Sequence, residues 1–167
     1  MCRRAALLVA MIVAALLLDS ATASAEPTTA LNREVSGPFA GTTFFDFFTN
    51  SCSFIHQTLD GIYATTVQSQ TGTFHLDVCP TFDATGGLVG AGSFAIHDRR
   101  GSTLIGIVTG TYDISTTTSI PFAFMLQVVT GTRAFRHVGG TISLTGVWDF
   151  HGDPAPIAGT LVGSLTQ

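Results

Sequence analysis

Apolar side chains alternate with polar or small ones over most of the chain. From position 120 to 129 one face consists of large apolar residues only: Ile120, Phe122, Phe124, Leu126 and Val128. A period of two is typical of a β-strand with one buried face. The same pattern predicts about eight strands, in residues 35–48, 52–59, 72–79, 88–97, 104–112, 120–129, 141–150 and 157–165. No segment beyond the N-terminal region has a helical period, so the sequence predicts an all-β domain, a single antiparallel barrel.

Segments 52–59 and 72–79 can be arranged in two ways. Asp60-Gly61 suits a two-residue turn, which would place a third strand between the two segments. Alternatively, the segments pair directly as one long hairpin whose tip lies near Thr65-Thr66. The sequence pattern favours the long hairpin, because direct pairing separates an apolar face from a polar face.

The favoured register of the long hairpin also predicts a disulfide bond. When Cys52 is placed opposite Cys79, His56 comes to lie opposite His75. Opposed strand residues have Cα atoms about 4.5–5.5 Å apart, which fits disulfide geometry. We therefore expect a disulfide between Cys52 and Cys79.

The N-terminal residues have a different character. Arg3 and Arg4 precede the apolar run 5–18, and Ala23-Ser24-Ala25 follows a polar break. This order is typical of a secretory signal peptide, with cleavage after Ala25. The predicted parts are a signal peptide at residues 1–25, a flexible leader at 26–34 and a β-barrel domain at 35–167. The protein is expected to be secreted or held in the cell envelope.

Composition narrows the classes of partner. The segment 26–167 has no lysine, and its arginines are Arg33, Arg99, Arg100, Arg133 and Arg136. Nucleic acid is not expected as a partner, because phosphate binding needs a concentrated basic face. The missing lysine also excludes a Walker A loop and Schiff-base chemistry. The apolar run 5–18 is shorter than the roughly 18 residues of a membrane-spanning helix. It is also expected to be removed with the signal peptide, so no membrane span is expected in the cleaved chain.

Residues 131–140 read Gly-Thr-Arg-Ala-Phe-Arg-His-Val-Gly-Gly. This loop resembles that of the allene oxide cyclase and dirigent barrel superfamily, which has a Gly-rich turn, a phenylalanine, a small residue and a glycine entering the next strand. The matching residues are Gly131, Phe135, Val138 and Gly140. The sequence departs from the pattern at Arg133, where relatives usually have a second glycine, and at His137.

The resemblance implies an eight-stranded barrel with an apolar lumen, often trimeric, that handles small lipophilic molecules. It covers, more loosely, residues 52–167. The family's catalytic carboxylate matches no position here, so the resemblance supplies no catalytic residue.

Two clusters are candidates for ligand contacts. His56, His75 and Asp77 share the polar face of the hairpin, and would form an acid/base or metal-binding group if that face lined the lumen. Otherwise they belong to a solvated outer face. The second cluster is the densest positive spot of the chain, Arg133, Arg136 and His137. If its loop rims the barrel mouth, it would hold a carboxylate head group while an acyl tail enters the lumen.

No metal site or cofactor is predicted. Four residues of a strand span about 13 Å, so neither the Cys52-His56 pair nor the His75-Cys79 pair can bind one zinc ion. A further polar pattern is interpreted as a loop rather than a cation site; it consists of Asp149, His151 and Asp153.

Aromatic residues crowd the first strand. Phe44 and Phe45 cannot both face inward, because side chains alternate along a strand. One of them meets another surface, either as an end plug or as a contact between copies of the chain. A homo-oligomer therefore stays open.

The sequence thus predicts an exported, disulfide-bonded barrel. The leading hypothesis is non-catalytic binding of a small apolar molecule in the lumen. Two alternatives stay open: a cyclase, isomerase or dirigent-like protein acting on a lipophilic intermediate, and an oligomeric interaction protein with a filled barrel. The lumen distinguishes them, since a filled barrel favours the interaction protein, an apolar cavity the binder, and a cavity with an ionisable group the enzyme.

Overall fold

The computed structural model describes residues 32–47, 52–53, 55–65, 70–116, 118–149, 152 and 154–167. Eight strands form the domain: β1 (Asn32–Asp46), β2 (His56–Ala64), β3 (Thr71–Phe82), β4 (Leu88–Asp98), β5 (Thr103–Tyr112), β6 (Ser119–Gly131), β7 (Gly139–Asp149) and β8 (Ala155–Thr166). A short 3-10 turn, Arg133–Phe135, lies between β6 and β7. Each strand pairs antiparallel with the next, and β1 pairs with β8 to close the barrel. The predicted all-β antiparallel barrel is confirmed.

The domain begins slightly earlier than the sequence predicts. β1 starts at Asn32, inside the segment 26–34 that was expected to be a flexible leader. The signal peptide and residues 26–31 lie outside the described residues, so they stay predictions. The described part of the chain contains no helix that is long and apolar enough to cross a membrane.

Inward-facing side chains fill most of the barrel. The five apolar residues that the alternation of β6 places on one face are all buried. Phe45 faces inward and packs edge-on against Trp148, with ring centroids 4.6 Å apart, while Phe44 is 49% exposed. The adjacent phenylalanines therefore face opposite sides of β1, as alternation requires. An eight-stranded barrel is just wide enough for such side chains to fill.

β2 and β3 form the predicted long hairpin, and Asp60-Gly61 lies within β2 rather than at a turn. The predicted register is wrong, because Asp60, not His56, lies opposite His75. The position of the tip explains the error: the Thr65 amide donates to the Gln70 carbonyl at 2.7 Å, so the tip lies further along the chain than Thr65-Thr66. The shift is by an even number of residues, so each side chain keeps its predicted face.

The Cys52–Cys79 disulfide is confirmed, with a Cα–Cα distance of 5.4 Å. Cys52 precedes β2, so the bond does not join opposed strand residues as the predicted register required. Cys79 alternates with the buried residue Val78. The disulfide therefore lies on the outer side of the barrel wall.

Candidate functional site

The two ends of the barrel carry opposite charges. Because the strands alternate in direction, the start of β1 and the β2–β3, β4–β5 and β6–β7 connections meet at one end. We call this the arginine end, since it carries all the arginines of the described residues: Arg33, Arg99, Arg100, Arg133 and Arg136. The other end, here called the aspartate end, carries Asp46, Asp83, Asp113 and Asp149, and no described basic side chain apart from the histidine that begins β2.

The β6–β7 loop covers part of the arginine end. Its Phe135 is buried and packs with the barrel core. A Cβ atom on Gly131 would lie 2.3 Å from the Phe135 carbonyl oxygen, and Gly140 has a φ of 122°. Both positions therefore require glycine. The loop has the structural role that the family resemblance implies, which is to cap one barrel end with a phenylalanine.

The two departures from the family pattern share one backbone feature. Arg133 and His137 have φ values of 52° and 66°, in the left-handed region that favours glycine. The Arg133 side chain compensates with a contact that glycine cannot make: its Nη1 donates to the Arg100 carbonyl at 2.8 Å. Arg133 thus links the β6–β7 loop to the β4–β5 turn.

An open pocket of about 460 Å³ lies between these connections. Arg33, Arg99 and Arg100 line it together with Gln70 and Phe135. An adjoining pocket of about 210 Å³ shares Arg33, Gln70 and Phe135 with the first. Small-molecule sites commonly have volumes of about 300–1,000 Å³. We call these two pockets together the mouth, and their size suits a small molecule.

Beneath the mouth, the lumen itself leaves little space. Its cavity measures about 40 Å³ and is lined mainly by apolar side chains, including Phe74, Leu126 and Leu161. One water molecule needs roughly 10–15 Å³ by the same measure. The lumen therefore has room for a short apolar group but not for a long acyl tail.

Asp98 also lines the mouth, but its carboxylate is engaged by its own turn. One carboxylate oxygen accepts hydrogen bonds from the amides of Arg100 at 2.8 Å and Ser102 at 2.7 Å. Burial raises the pKa of Asp98, but the bonds from Ser102 and Arg100 outweigh burial and hold that pKa below its ordinary value. Neither Arg33 nor Arg99 forms an ion pair with a described carboxylate.

At the aspartate end the lumen is closed by a buried hydrogen-bonded chain. The Tyr112 hydroxyl donates to Gln57 Oε1 at 2.5 Å, and Gln57 Nε2 donates to Thr43 Oγ1 at 2.9 Å. Thr43 Oγ1 in turn donates to the Thr58 carbonyl at 2.8 Å. Burial raises the pKa of Tyr112, so the hydroxyl stays protonated and serves as a donor. This chain satisfies the polar groups that a filled lumen would otherwise leave unpaired.

The cluster predicted on the hairpin lies on the outer wall. The residues between its members, Phe74, Leu76 and Val78, face inward, so the condition for a lumen-facing acid/base group is not met. His75 Nδ1 lies 2.7 Å from Asp60 Oδ1, and its Nε2 lies 3.1 Å from Asp77. The second oxygen of Asp77 lies 3.1 Å from His56 Nε2. The hydrogen bond to Asp60 is the main cause that raises the pKa of His75.

No group of three or more histidine, cysteine or acidic side chains suits a metal ion within the described ranges. His151 and Asp153 lie outside those ranges, so the interpretation of that segment as a polar loop stays a prediction.

The predicted loop residues Arg133, Arg136 and His137 do lie at the arginine end and are exposed. They line neither pocket of the mouth. None of the three arginines that line the mouth, Arg33, Arg99 and Arg100, was among the predicted site residues. Arg33 had been placed in the leader. Its position is in step with the inward-facing Phe39 of the same strand, and that alternation is the signal that identifies it.

Comparison with solved structures finds a similar fold. No protein-family model matches the sequence, and no curated protein is significantly similar to it. Among solved structures, a pterocarpan synthase dirigent protein matches with a TM-score of 0.51 and 15% sequence identity, over 88% of this chain and 98% of that chain. The chain therefore shares the fold of that dirigent protein, which in this chain is a closed antiparallel barrel of eight strands.

Proposed function

We propose that this protein binds a small organic molecule, without transforming it, at the mouth of the arginine end. One observation carries the proposal: both pockets of the mouth and the luminal cavity meet at Gln70 and Phe135. A ligand placed there contacts Phe135, Val35 and Leu165 with its apolar part. Only a short apolar group enters the lumen beneath.

The size of the cavity moves the site outward from where the sequence placed it. A luminal cavity of about 40 Å³ lies far below the roughly 300 Å³ of typical small-molecule sites. Most of the ligand must therefore be bound by the mouth. A pterocarpan synthase dirigent protein has the same fold, which supports a small organic molecule, rather than a macromolecule, as the ligand.

The side chains of the mouth support binding rather than catalysis. Arginine stays protonated at all ordinary pH values and cannot act as a general base. The Asp98 carboxylate is bound to the amides of its own turn. Neither group is placed as an activated nucleophile. Glu34 also lines the smaller pocket, but it is exposed and its position is out of step with the core-facing Val35.

The proposal is tested by NMR titration of the purified protein with 1-octanol, a neutral amphiphile. Octanol is expected to shift the resonances of Val35, Phe135 and Leu165. Val35→Phe fills the junction between the mouth and the lumen, and should weaken octanol binding about tenfold or more, equivalent to about 1.4 kcal/mol. The matched control is Val162→Phe, which adds the same ring to the outer wall, where Val162 is 58% exposed. If neither octanol nor its carboxylate counterpart octanoate shifts a mouth resonance, or if both variants behave alike, the proposal is wrong.

A second function, assembly with other copies or another protein, is favoured by the nearly filled lumen and by the outer wall of β5 and β6. Ile105, Ile107, Met125 and Val129 are each more than two-fifths exposed there. Exposed apolar patches mark protein contacts. A native mass spectrum that shows an oligomer, together with no octanol binding, would favour this function over the first.

A further inference from the structure

The mouth presents three guanidinium groups from two separate elements. Arg33 extends from the inward-facing side of β1, and Arg99 and Arg100 come from the β4–β5 turn. All three line the same pocket. A guanidinium group is a planar fork of donors that matches a carboxylate with two parallel hydrogen bonds. The pocket therefore offers several charged hydrogen-bond donors, which bind an anionic ligand more strongly than a neutral one.

Two described carboxylates line the mouth, Glu34 and Asp98, and neither forms an ion pair with Arg33 or Arg99. Glu34 is exposed, and its position is out of step with the core-facing Val35. Asp98 is held by the amides of Ser102 and Arg100, and it offsets the charge of its neighbour Arg100. Arg33 and Arg99 have no described ion-pair partner. Two of the three guanidinium groups are thus left for a ligand.

The field of the whole protein acts in the same direction. The chain as a whole has a net charge of -4, yet its described arginines are all at one end and the opposite end is acidic. Such an asymmetry steers an anion towards the arginine end and away from the other.

The apolar part of the mouth excludes a bare anion as the best ligand. Val35, Phe135 and Leu165 line the smaller pocket beside Arg33, and the cavity beneath them is apolar. From this juxtaposition we infer that the ligand is a monomeric carboxylate amphiphile with a short apolar tail, its carboxylate held by Arg33 and Arg99. The inference rests on the proposed function and names the ligand class of that same site.

The test compares octanoate with 1-octanol, which have tails of similar length and differ in the charged group. Octanoate should bind about tenfold more tightly or better, as a charge-assisted bidentate pair implies. Arg33→Gln and Arg99→Gln should each lower octanoate affinity about fivefold or more and octanol affinity less than about twofold, because glutamine still offers a hydrogen-bond donor to a hydroxyl group. The matched control is Arg136→Gln, which removes one positive charge from the same end but does not line the mouth. It should change octanoate affinity less than twofold at about 0.15 M salt, where exposed charges are screened.

The outcomes separate this inference from the proposed function. Equal binding of octanol and octanoate overturns the carboxylate and leaves the binding site standing. Binding of neither compound overturns both. Acetate that binds as tightly as octanoate would reduce the site to a simple anion site and refute the amphiphile.

The last experiment measures by flotation whether phospholipid vesicles capture the protein. Vesicles of anionic phospholipid that capture the protein, when zwitterionic vesicles and octanoate do not, would show that the arginine end recognises a lipid surface and would overturn the monomeric ligand. Octanoate binding without capture by either kind of vesicle supports the inference.

Discussion

The two ends of this barrel are built from the same eight strands but are finished differently. At the aspartate end, Trp148 packs edge-on against Tyr112, with ring centroids 5.7 Å apart, and Tyr112 is hydrogen-bonded to the fully buried Gln57. At the arginine end, the lumen is lined mainly by aliphatic side chains, together with Tyr63 and Phe74, and it leaves a cavity beneath Phe135. One end is a plug, and the other is a mouth.

With the proposed function, the two ends divide stability from recognition. Interdigitated aromatic rings and satisfied polar groups stabilise a core, while incomplete packing forgoes contacts that a ligand could make instead. We therefore expect the aspartate end to contribute most to the free energy of unfolding. The arginine end contributes less, and its exposed charges and cavity are available for binding.

The largest expected effect is on the free energy of unfolding when one large core residue at each end is replaced by alanine. Trp148→Ala should lower the free energy of unfolding by about 3–5 kcal/mol, because it leaves a cavity inside the plug. Leu165→Ala, beside the existing luminal cavity, should cost only about 2 kcal/mol. Urea unfolding followed by circular dichroism measures both without depending on tryptophan fluorescence. The division between the ends breaks down if Leu165→Ala is the more destabilising change.

A smaller effect tests the polar chain of the plug. Tyr112→Phe and Gln57→Leu should each cost about 1–3 kcal/mol, because each leaves a buried partner unpaired. The double variant should cost less than the sum, with a coupling of about 1 kcal/mol. Additive losses in urea unfolding would mean that the bond between Tyr112 and Gln57 does not hold the plug together.

The smallest expected effect is a pH dependence of stability, which comes from His75 on the outer wall between the two ends. The hydrogen bond to Asp60 raises the pKa of His75 in the folded protein. The resulting stabilisation is fully present below the ordinary histidine pKa of about 6.5 and is lost as pH rises through the raised pKa. The gain should stay below about 1 kcal/mol, because His75 and Asp60 are both largely exposed to solvent.

The urea midpoint of the native sequence should therefore fall as the pH rises above the ordinary histidine pKa of about 6.5. Asp60→Asn provides the control, since it removes the main cause of the raised pKa while Asp77 and His56 stay in place. An unchanged pH dependence in Asp60→Asn would show that Asp60 does not act through His75.

The sequence predicts the strands and their faces well, because both follow from a period of two that burial imposes on each strand separately. Register is harder. The alternation of apolar and polar side chains excludes registers that differ by an odd number of residues, but it does not distinguish those that differ by an even number. The observed register differs from the predicted one by an even number, so Asp60 lies opposite His75 although every side chain keeps its face. The position of the tip decides between even shifts, and a polar, non-periodic tip gives no signal for it.

The candidate site was predicted only in outline. The sequence indicated positive charge in the β6–β7 loop, yet the arginines that line the mouth lie on β1 and on the β4–β5 turn. These segments are far apart in sequence, and only closure of the barrel brings them together. Arg33 was hidden for a further reason: a polar segment next to Pro27 has the composition of a leader, although its last residues continue the alternation of β1.

The pairing of β1 with β8 also sets the order in which the molecule can form. Asn32 lies opposite Thr166, so the barrel has two open edges until nearly the whole domain is available. Pairing across such a separation in sequence is slow, and unpaired edges invite wrong partners. The β2–β3 hairpin can form early, because its contacts are local, and the Cys52–Cys79 bond can clasp it from outside. Folding should therefore proceed from an oxidised hairpin to a late closure between the first strand and the last.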